Sequence, residues 1–395
     1  MPSLSHGRMC LVLVVCTALL FCLRLQHRTE SSILKFGRQN SNTNYEDIGN
    51  QTLGFQEIFV INAPWRTDRK DGMTLAASYS SLSLTWINGV SVDSIDEKAY
   101  PLGNHRDLPP GNRGSWRAHM NALREIVERN LTTALILEDD ADWDIRLRSQ
   151  LSTLSPAIRH ISAIASPSLN NPTQQPLGPS HLDNNDQQVL AHRSTIPLHS
   201  LPSLTIPSTN PYGLTWDILW LGHCGATLPP PSPLHPNRIA MTPDPTVPAP
   251  HHLKPGRNAP LDPLASLYPP HTRLIHRAGS STLCTIAYSV TQSGARKLLY
   301  EFGVRGLEKG YDFGLSDYCG GATKGQKDGK STVPVCVVVQ PTVFGHLFGE
   351  RMKSDISAVG AAGKMEKGSR YVRASVRGNL ERLGRGVGVR DQWPD

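Results

Sequence analysis

The run from Leu131 to Leu137, apolar and β-compatible, stops abruptly at Glu138-Asp139-Asp140-Ala141-Asp142, with Asp144 just beyond. An apolar strand without polar alternation is buried on both faces, which places it inside a sheet covered by helices on either side. The residues upstream supply a partner for it. EIFVIN, from Glu57 to Asn62, is a short strand ended by Pro64. Ser83 to Trp86 alternates, and the pattern closes at the turn pair Asn88-Gly89. Trp116, Met120, Leu123 and Val127 recur at spacings of four, three and four, one face of a helix that Ser115 is placed to cap. A strand, a crossover helix and a second strand are thus predicted. The acids sit at the C-terminal end of the second strand, where parallel α/β sheets bind ligands.

Further strands are predicted at Trp216 to Gly222 (WDILWLG), in TLCTIAYSV from Thr282, and at Pro334 to Gln340 (PVCVVVQ). Ser293 to Tyr300 reads as a helix capped by Thr291 or Ser293. Two polar stretches interrupt this order, at about 166–210 and 228–271. Fourteen prolines fall between Leu228 and Pro270, too many for a helix or a ladder to continue, so both stretches are expected to be surface insertions. With 38% hydrophobic residues the chain is not wholly disordered. Its net charge of +7 gathers in residues 351–395, where ten Lys and Arg face five Asp and Glu. The rest is nearly neutral, so no nucleic-acid partner is expected, and 357–395 reads as a basic flexible tail.

Near the N-terminus, Met9 to Leu23 is uncharged between Arg8 and Arg24. The run fits an uncleaved anchor first, a cleaved signal second and a buried helix third. The expected organisation is a short cytosolic end and signal-anchor at 1–24, a stem at 25–54 and a catalytic domain at 55–356. A single-pass type II protein of the Golgi or endoplasmic reticulum membrane follows, with a secreted protein as the alternative. Asn50 and Asn130 head glycosylation triplets. Cys224, Cys284, Cys319 and Cys336 allow three pairings among which the sequence does not choose.

On an extended strand end, residues two apart share a face, so Glu138, Asp140 and Asp142 are expected to converge while Asp139 points away. Converging carboxylates need a counter-charge, and Mn2+ or Mg2+ would supply one while holding a diphosphate. Arg66 and Arg69 follow the first strand, where a guanidinium fork suits phosphate. Asp312 and Asp317 are candidate bases. His346 is a candidate further metal ligand or phosphate contact.

The ordered segments IFVINAPWRTDR, GNRGSWRAHMNALREIV, ALILEDDADWD, WDILWLGHCG, TIAYSVTQSGARKLL, YDFGLSDYC and RMKSDI span about 300 residues. Together they resemble glycosyltransferase family 25, the bacterial lipopolysaccharide and animal collagen galactosyltransferases, and most closely its filamentous-fungal branch. The resemblance implies a GT-A-like α/β fold around a mainly parallel sheet, with a UDP-sugar donor at the strand ends. It assigns Glu138 and Asp140 to the metal. Asn62, Arg66, Asp68 and Arg69, with Arg117 and His119, are expected around the donor, and Asp312 near the acceptor or donor sugar. Ala63, Ser115 and Ala118 replace the usual Leu, Cys and Ser of the pattern.

The implied reaction is an inverting transfer of a hexose, galactose by default, to a glycan or glycoprotein hydroxyl. A catalytically inactive glycan- or protein-binding module is the alternative. A basic-tailed stalk protein and a metal-dependent phosphohydrolase stand behind it, and the histidines show no clustered spacing for the latter.

Overall fold

Thr133–Glu138 forms β3, with every residue but the last buried, as an unbroken apolar run requires. The computed structural model of the chain describes residues 47–165, 184–202, 209–231, 236–254, 260–279, 281–323, 333–348, 356 and 368–395. Before β3 come β1 (Glu57–Asn62), α1 (Thr67–Tyr79), β2 (Thr85–Asn88) and α2 (Pro110–Glu128). After it come β4 (Ala141–Trp143), α3 (Leu147–Ala165), α4 (Asn184–Arg193), β5 (Thr195–Pro197), β6 (Ile218–Gly222) and β7 (Arg238–Met241). Next are α5 (Leu264–Leu267), β8 (Arg273–Arg277), β9 (Ala287–Thr291), α6 (Gln292–Tyr300) and α7 (Tyr311–Cys319). The last elements are β10 (Cys336–Gln340), β11 (Phe344–Phe348), β12 (Gly368–Ser369) and α8 (Leu380–Gly384).

Nine strands form one sheet in the order β2-β1-β3-β9-β6-β10-β8-β7-β5, and β12-β11-β4 form a second. β1 runs parallel to β2 and β3, with Val60 opposite Leu137 and Trp86. β6 with β10 and β5 with β7 are also parallel. The other six of the ten pairings are antiparallel. Two of those six lie in the small sheet, so the nine-stranded sheet is mixed, with four parallel and four antiparallel pairs, which corrects the expected mainly parallel GT-A-like sheet. A parallel neighbour needs a crossover element. β7 and β8 are joined through the proline-rich stretch, where among the described residues a 3-10 turn at Pro250–His252 and the four-residue α5 stand between them.

Strand alternation divides β3 between two cores. Leu135 and Leu137 join Ile58, Val60, Met73 of α1 and Leu151 of α3. Ala134 and Ile136 join Phe59 and the Trp116, Met120 and Leu123 stripe of α2. Burying each Leu or Ile stabilises by about 1.5–3 kcal/mol. α2 starts at Pro110, earlier than its apolar stripe suggests, because proline suits a first turn that needs no N–H partner. Ser115 lies inside the helix and does not cap it. Thr291 caps α6, its hydroxyl accepting from Gly294 N at 3.1 Å.

Several boundaries shift. Ile48 and Leu53, at the end of the expected stem, are buried in the first core. The stretches read as insertions contribute β5 and β7 to the main sheet, and Val247, Leu253, Leu264 and Tyr268 to a third core. Of the segment read as a flexible tail, residues 368–395 are folded against β11 and the acidic turn, with Tyr371, Val372 and Val376 buried. The cysteines pair as Cys224–Cys284 and Cys319–Cys336. Among the described residues no helix is long and apolar enough to cross a membrane. The membrane-anchored, type II reading and the Golgi or endoplasmic reticulum placement drawn from it therefore have no helix among the described residues to carry them. The run from Met9 to Leu23 itself lies outside the described residues.

Candidate active site

The C-terminal ends of the parallel strands β1, β2 and β3 open onto a cavity of about 440 Å3. Its wall includes Trp65, the Gly89–Val92 loop, the acidic turn, Thr285, His346 and the first turns of α2 and α7. Gly114 allows α2 to approach the loop after β2, since a Cβ there would stand 2.3 Å from the Val90 carbonyl oxygen. The first turn of α2 carries no acidic residue, and Pro110, Gly111 and Asn112 line the cavity, so the positive dipole end of the helix borders it.

The acidic cluster does not follow strand alternation. β3 ends at Glu138, and Asp139-Asp140 forms a turn before β4. The chain therefore reverses, and both aspartates reach Arg69 in the first turn of α1. Arg69 Nη1 lies 2.6 Å from Asp139 Oδ1 and 2.8 Å from Asp140 Oδ2. Asn62 Nδ2, at the end of β1, donates to Asp139 Oδ2 at 2.8 Å. His346 Nε2 of β11 lies 3.2 Å from Asp140 Oδ2. Burial alone would raise the Asp140 carboxyl, yet His346, Arg69 and Arg377 outweigh it and hold the group below the usual carboxylate range. For Asp139, burial and the neighbouring Asp140 push the carboxyl up. Burial works against the His346 cation, but Asp140 raises its pKa all the same.

Asp142, expected to share a metal with Glu138 and Asp140, is turned into the protein. Its Oδ2 accepts from the hydroxyls of Ser369 and Ser375. Its Oδ1 accepts from Trp143 N at 2.8 Å and Arg377 N at 3.0 Å. Glu138 does face the cavity, and its Oε1 accepts from the Thr285 hydroxyl at 2.6 Å. One feature suits a cation: Asp140 Oδ1 is buried without a hydrogen-bond partner among the described residues. The rest does not. Asp140 Oδ2 already meets Arg69 and His346, and Asp142 lies elsewhere. Among the described residues no group of three or more His, Cys, Asp or Glu is arranged to hold a metal. The expected set Glu138, Asp140, Asp142 and His346 therefore does not fit one ion.

His119, on α2, is fully enclosed. Its Nδ1 lies 3.0 Å from the Tyr288 hydroxyl, and its ring stacks on Tyr311 with centroids 4.6 Å apart. Its Nε2 stands 3.4 Å from Thr285 Oγ1. Burial keeps the Tyr288 and Tyr311 hydroxyls protonated by raising their pKa values. Asp312 follows Tyr311 in the first turn of α7 and lines the cavity. Burial raises its carboxyl above the ordinary range, against hydrogen bonds from the backbone of Phe313 and Cys284.

The remaining candidates are not on the cavity wall. Asp317 pairs with Lys309 at 2.5 Å, two turns along α7 from the site. Arg66 bonds Asp68 through two nitrogens at 2.9 Å, and its hydrogen bond holds the Asp68 carboxyl down to about 2. Arg117 bonds Asn121 at 3.1 Å and lies over the Trp116 ring. Thr285, Tyr288 and Tyr311 were not singled out from the sequence, although all three lie in segments that carried the resemblance. Arg377 had no local signal at all, since it reaches the turn from more than 230 residues away.

An α/β domain with an acidic cavity at parallel strand ends has it where open α/β sheets take ligands. The comparisons narrow this. The chain is similar to procollagen galactosyltransferase 1 of Danio rerio, with 25% identity over 119 residues, 27% of this chain and 20% of that protein. It is 29% identical over 115 residues to procollagen galactosyltransferase 1-A of Xenopus laevis, covering 26% and 19% of the two chains. It is 28% identical over 116 residues to the human inactive glycosyltransferase 25 family member 3, again covering 26% and 19%. The matches thus span about a fifth of the length of these curated relatives. They link the chain to family 25-type transferases. These relatives are vertebrate proteins, and none supports the expected fungal branch. No family model matches the chain.

Proposed function

We propose that the chain is a nucleotide-sugar-dependent hexosyltransferase acting at the cavity between β1, β3, α2 and α7. The observation that carries this reading is the shape of that cavity, in which a helix start free of acid faces carboxylates across a space of small-molecule size. The similarity to procollagen galactosyltransferases supports a UDP-hexose as the donor, galactose by default, with a glycan or glycoprotein hydroxyl as the acceptor.

In this reading the diphosphate lies against the first turn of α2, whose dipole offsets its charge. Asp312, with its raised pKa, takes the proton from the acceptor hydroxyl as that oxygen attacks the anomeric carbon from the face opposite the leaving group. Glu138 is fixed by Thr285 and is placed to orient a sugar hydroxyl. Trp65 and Phe313, 56% and 50% exposed on the cavity wall, offer apolar faces to the acceptor. No step is routed through a metal, because the expected ligands do not converge. A screen of UDP-sugars with the full chain, read as UDP release with Mn2+ and with EDTA, tests the reading. Release from one sugar above the others supports it, and no release under either condition rejects it.

A second reading, an inactive transferase-like binding module, draws on one observation. Asp139 and Asp140 are neutralised by Arg69 within the protein, and relatives named as inactive stand among the matches. Binding of UDP-galactose without turnover would favour it.

A further inference from the structure

The segment Gly368 to Arg377 wraps a buried carboxylate next to the site. Ser369, Ser375 and the Arg377 N–H all donate to Asp142, which is fully enclosed. Flanking bonds hold the same register, a backbone one from Val376 N to Trp143 O at 2.9 Å and one from Ala374 N to the Asp144 carboxylate Oδ2 at 2.9 Å. This fixes the Arg377 backbone and leaves its side chain to reach toward the cavity. There, Nη1 donates to Asp139 O at 2.7 Å and to Ala141 O at 3.2 Å, the two carbonyls on either side of Asp140. The guanidinium also packs on α1, 3.0 Å from where a Cβ on Gly72 would lie. A turn held at both carbonyls has little freedom to rotate the aspartate between them.

We propose that Arg377 is a positioning residue, which sets the orientation of the Asp139-Asp140 turn and so aims Asp140 at the cavity, with Asp142 as its anchor. The hydrogen bonds of the side chain go to backbone carbonyls of the turn. The kinetic part of the test rests on the transferase reading, and the exchange part does not.

The test uses the full chain with Arg377→Ala and Arg377→Lys. In Arg377→Ala, amide hydrogen exchange in a peptide spanning residues 138–143 is expected to rise by about tenfold or more while the peptide over β10 is unchanged. The donor KM is expected to stay within about threefold while kcat falls about tenfold or more, because the turn directly follows Glu138 and a small displacement of it misaligns the sugar. Arg377→Lys keeps a donor and is expected to recover part of both. Unchanged exchange at 138–143 in Arg377→Ala overturns the proposal, as does exchange that rises equally in β10. A donor KM that rises with kcat unchanged also overturns it. If the native protein turns over no UDP-sugar, the transferase reading fails, and the exchange result alone decides the role of Arg377.

Discussion

Arg69 lies 2.8 Å from Asp140, and each side chain is only 9% exposed. A buried carboxylate with a cation at this distance has its charge balanced inside the protein, and the same Nη1 serves Asp139. Removing the guanidinium takes away the cation that the two buried carboxyls share and leaves Asp140 to His346 and Arg377. Arg69→Met is therefore expected to lower the unfolding free energy at pH 7 by about 3–5 kcal/mol in urea titration. Because one nitrogen makes both contacts, Arg69→Lys should lose less.

Asp312 tests the chemistry. Its pKa is raised on folding, so the neutral carboxyl is the form that the fold favours. The stability this gives is fully present below the unfolded value of about 3.9 and is lost as pH rises through the folded value. Asp312→Asn should remove that decline, which thermal unfolding at pH 4 and pH 7 would show. The same variant should lower kcat by about 10²–10⁴, and the acid limb of the native rate profile should lie above an ordinary carboxylate.

The disulfides differ in what they close. Cys224–Cys284 spans 60 residues and Cys319–Cys336 spans 17, so replacing the first pair by serine should cost more, roughly 2–4 kcal/mol. Cys284 also precedes Thr285, the donor to Glu138. Loss of the first bridge should therefore weaken nucleotide-sugar binding in calorimetry, and loss of the second should not.

Trp65 is 56% exposed, and its replacement by alanine should shift stability by no more than about 0.5 kcal/mol. If its face receives the acceptor, Trp65→Ala should raise the acceptor KM and leave acceptor-independent release of UDP unchanged. Trp65→Phe should retain most of the affinity.

The sequence was most legible where burial dictates residue type. β1, β3, β6 and β10 are apolar on both faces, and α2 carries a regular stripe, so their type and order could be read directly. Strand direction was not legible. β9 looks like any buried strand, and only its pairing with β3, Ile136 opposite Tyr288, reveals that it runs antiparallel. The acidic cluster was found, but parity failed at its second residue because Asp139-Asp140 turns the chain before β4. From then on the direction of each side chain depends on tertiary partners. Asp142 answers to Ser369 and Ser375, and Asp139 to Asn62 and Arg69. Proline content misled in the opposite sense. Arg238 to Met241 is a proline-free tetrapeptide between proline clusters, long enough to pair with β8.

The contact between Arg377 and the Asp142 carboxylate joins positions 235 residues apart. On the ribosome, the parallel strands β1, β2 and β3 can assemble long before Ser369, Ser375 and Arg377 have been synthesised. Until then Asp142 has none of those donors and the acidic turn is unsupported. Contacts of such wide separation form late in folding. A nascent chain would thus hold these parallel strands early and brace the acidic turn only once residues 369–377 have emerged.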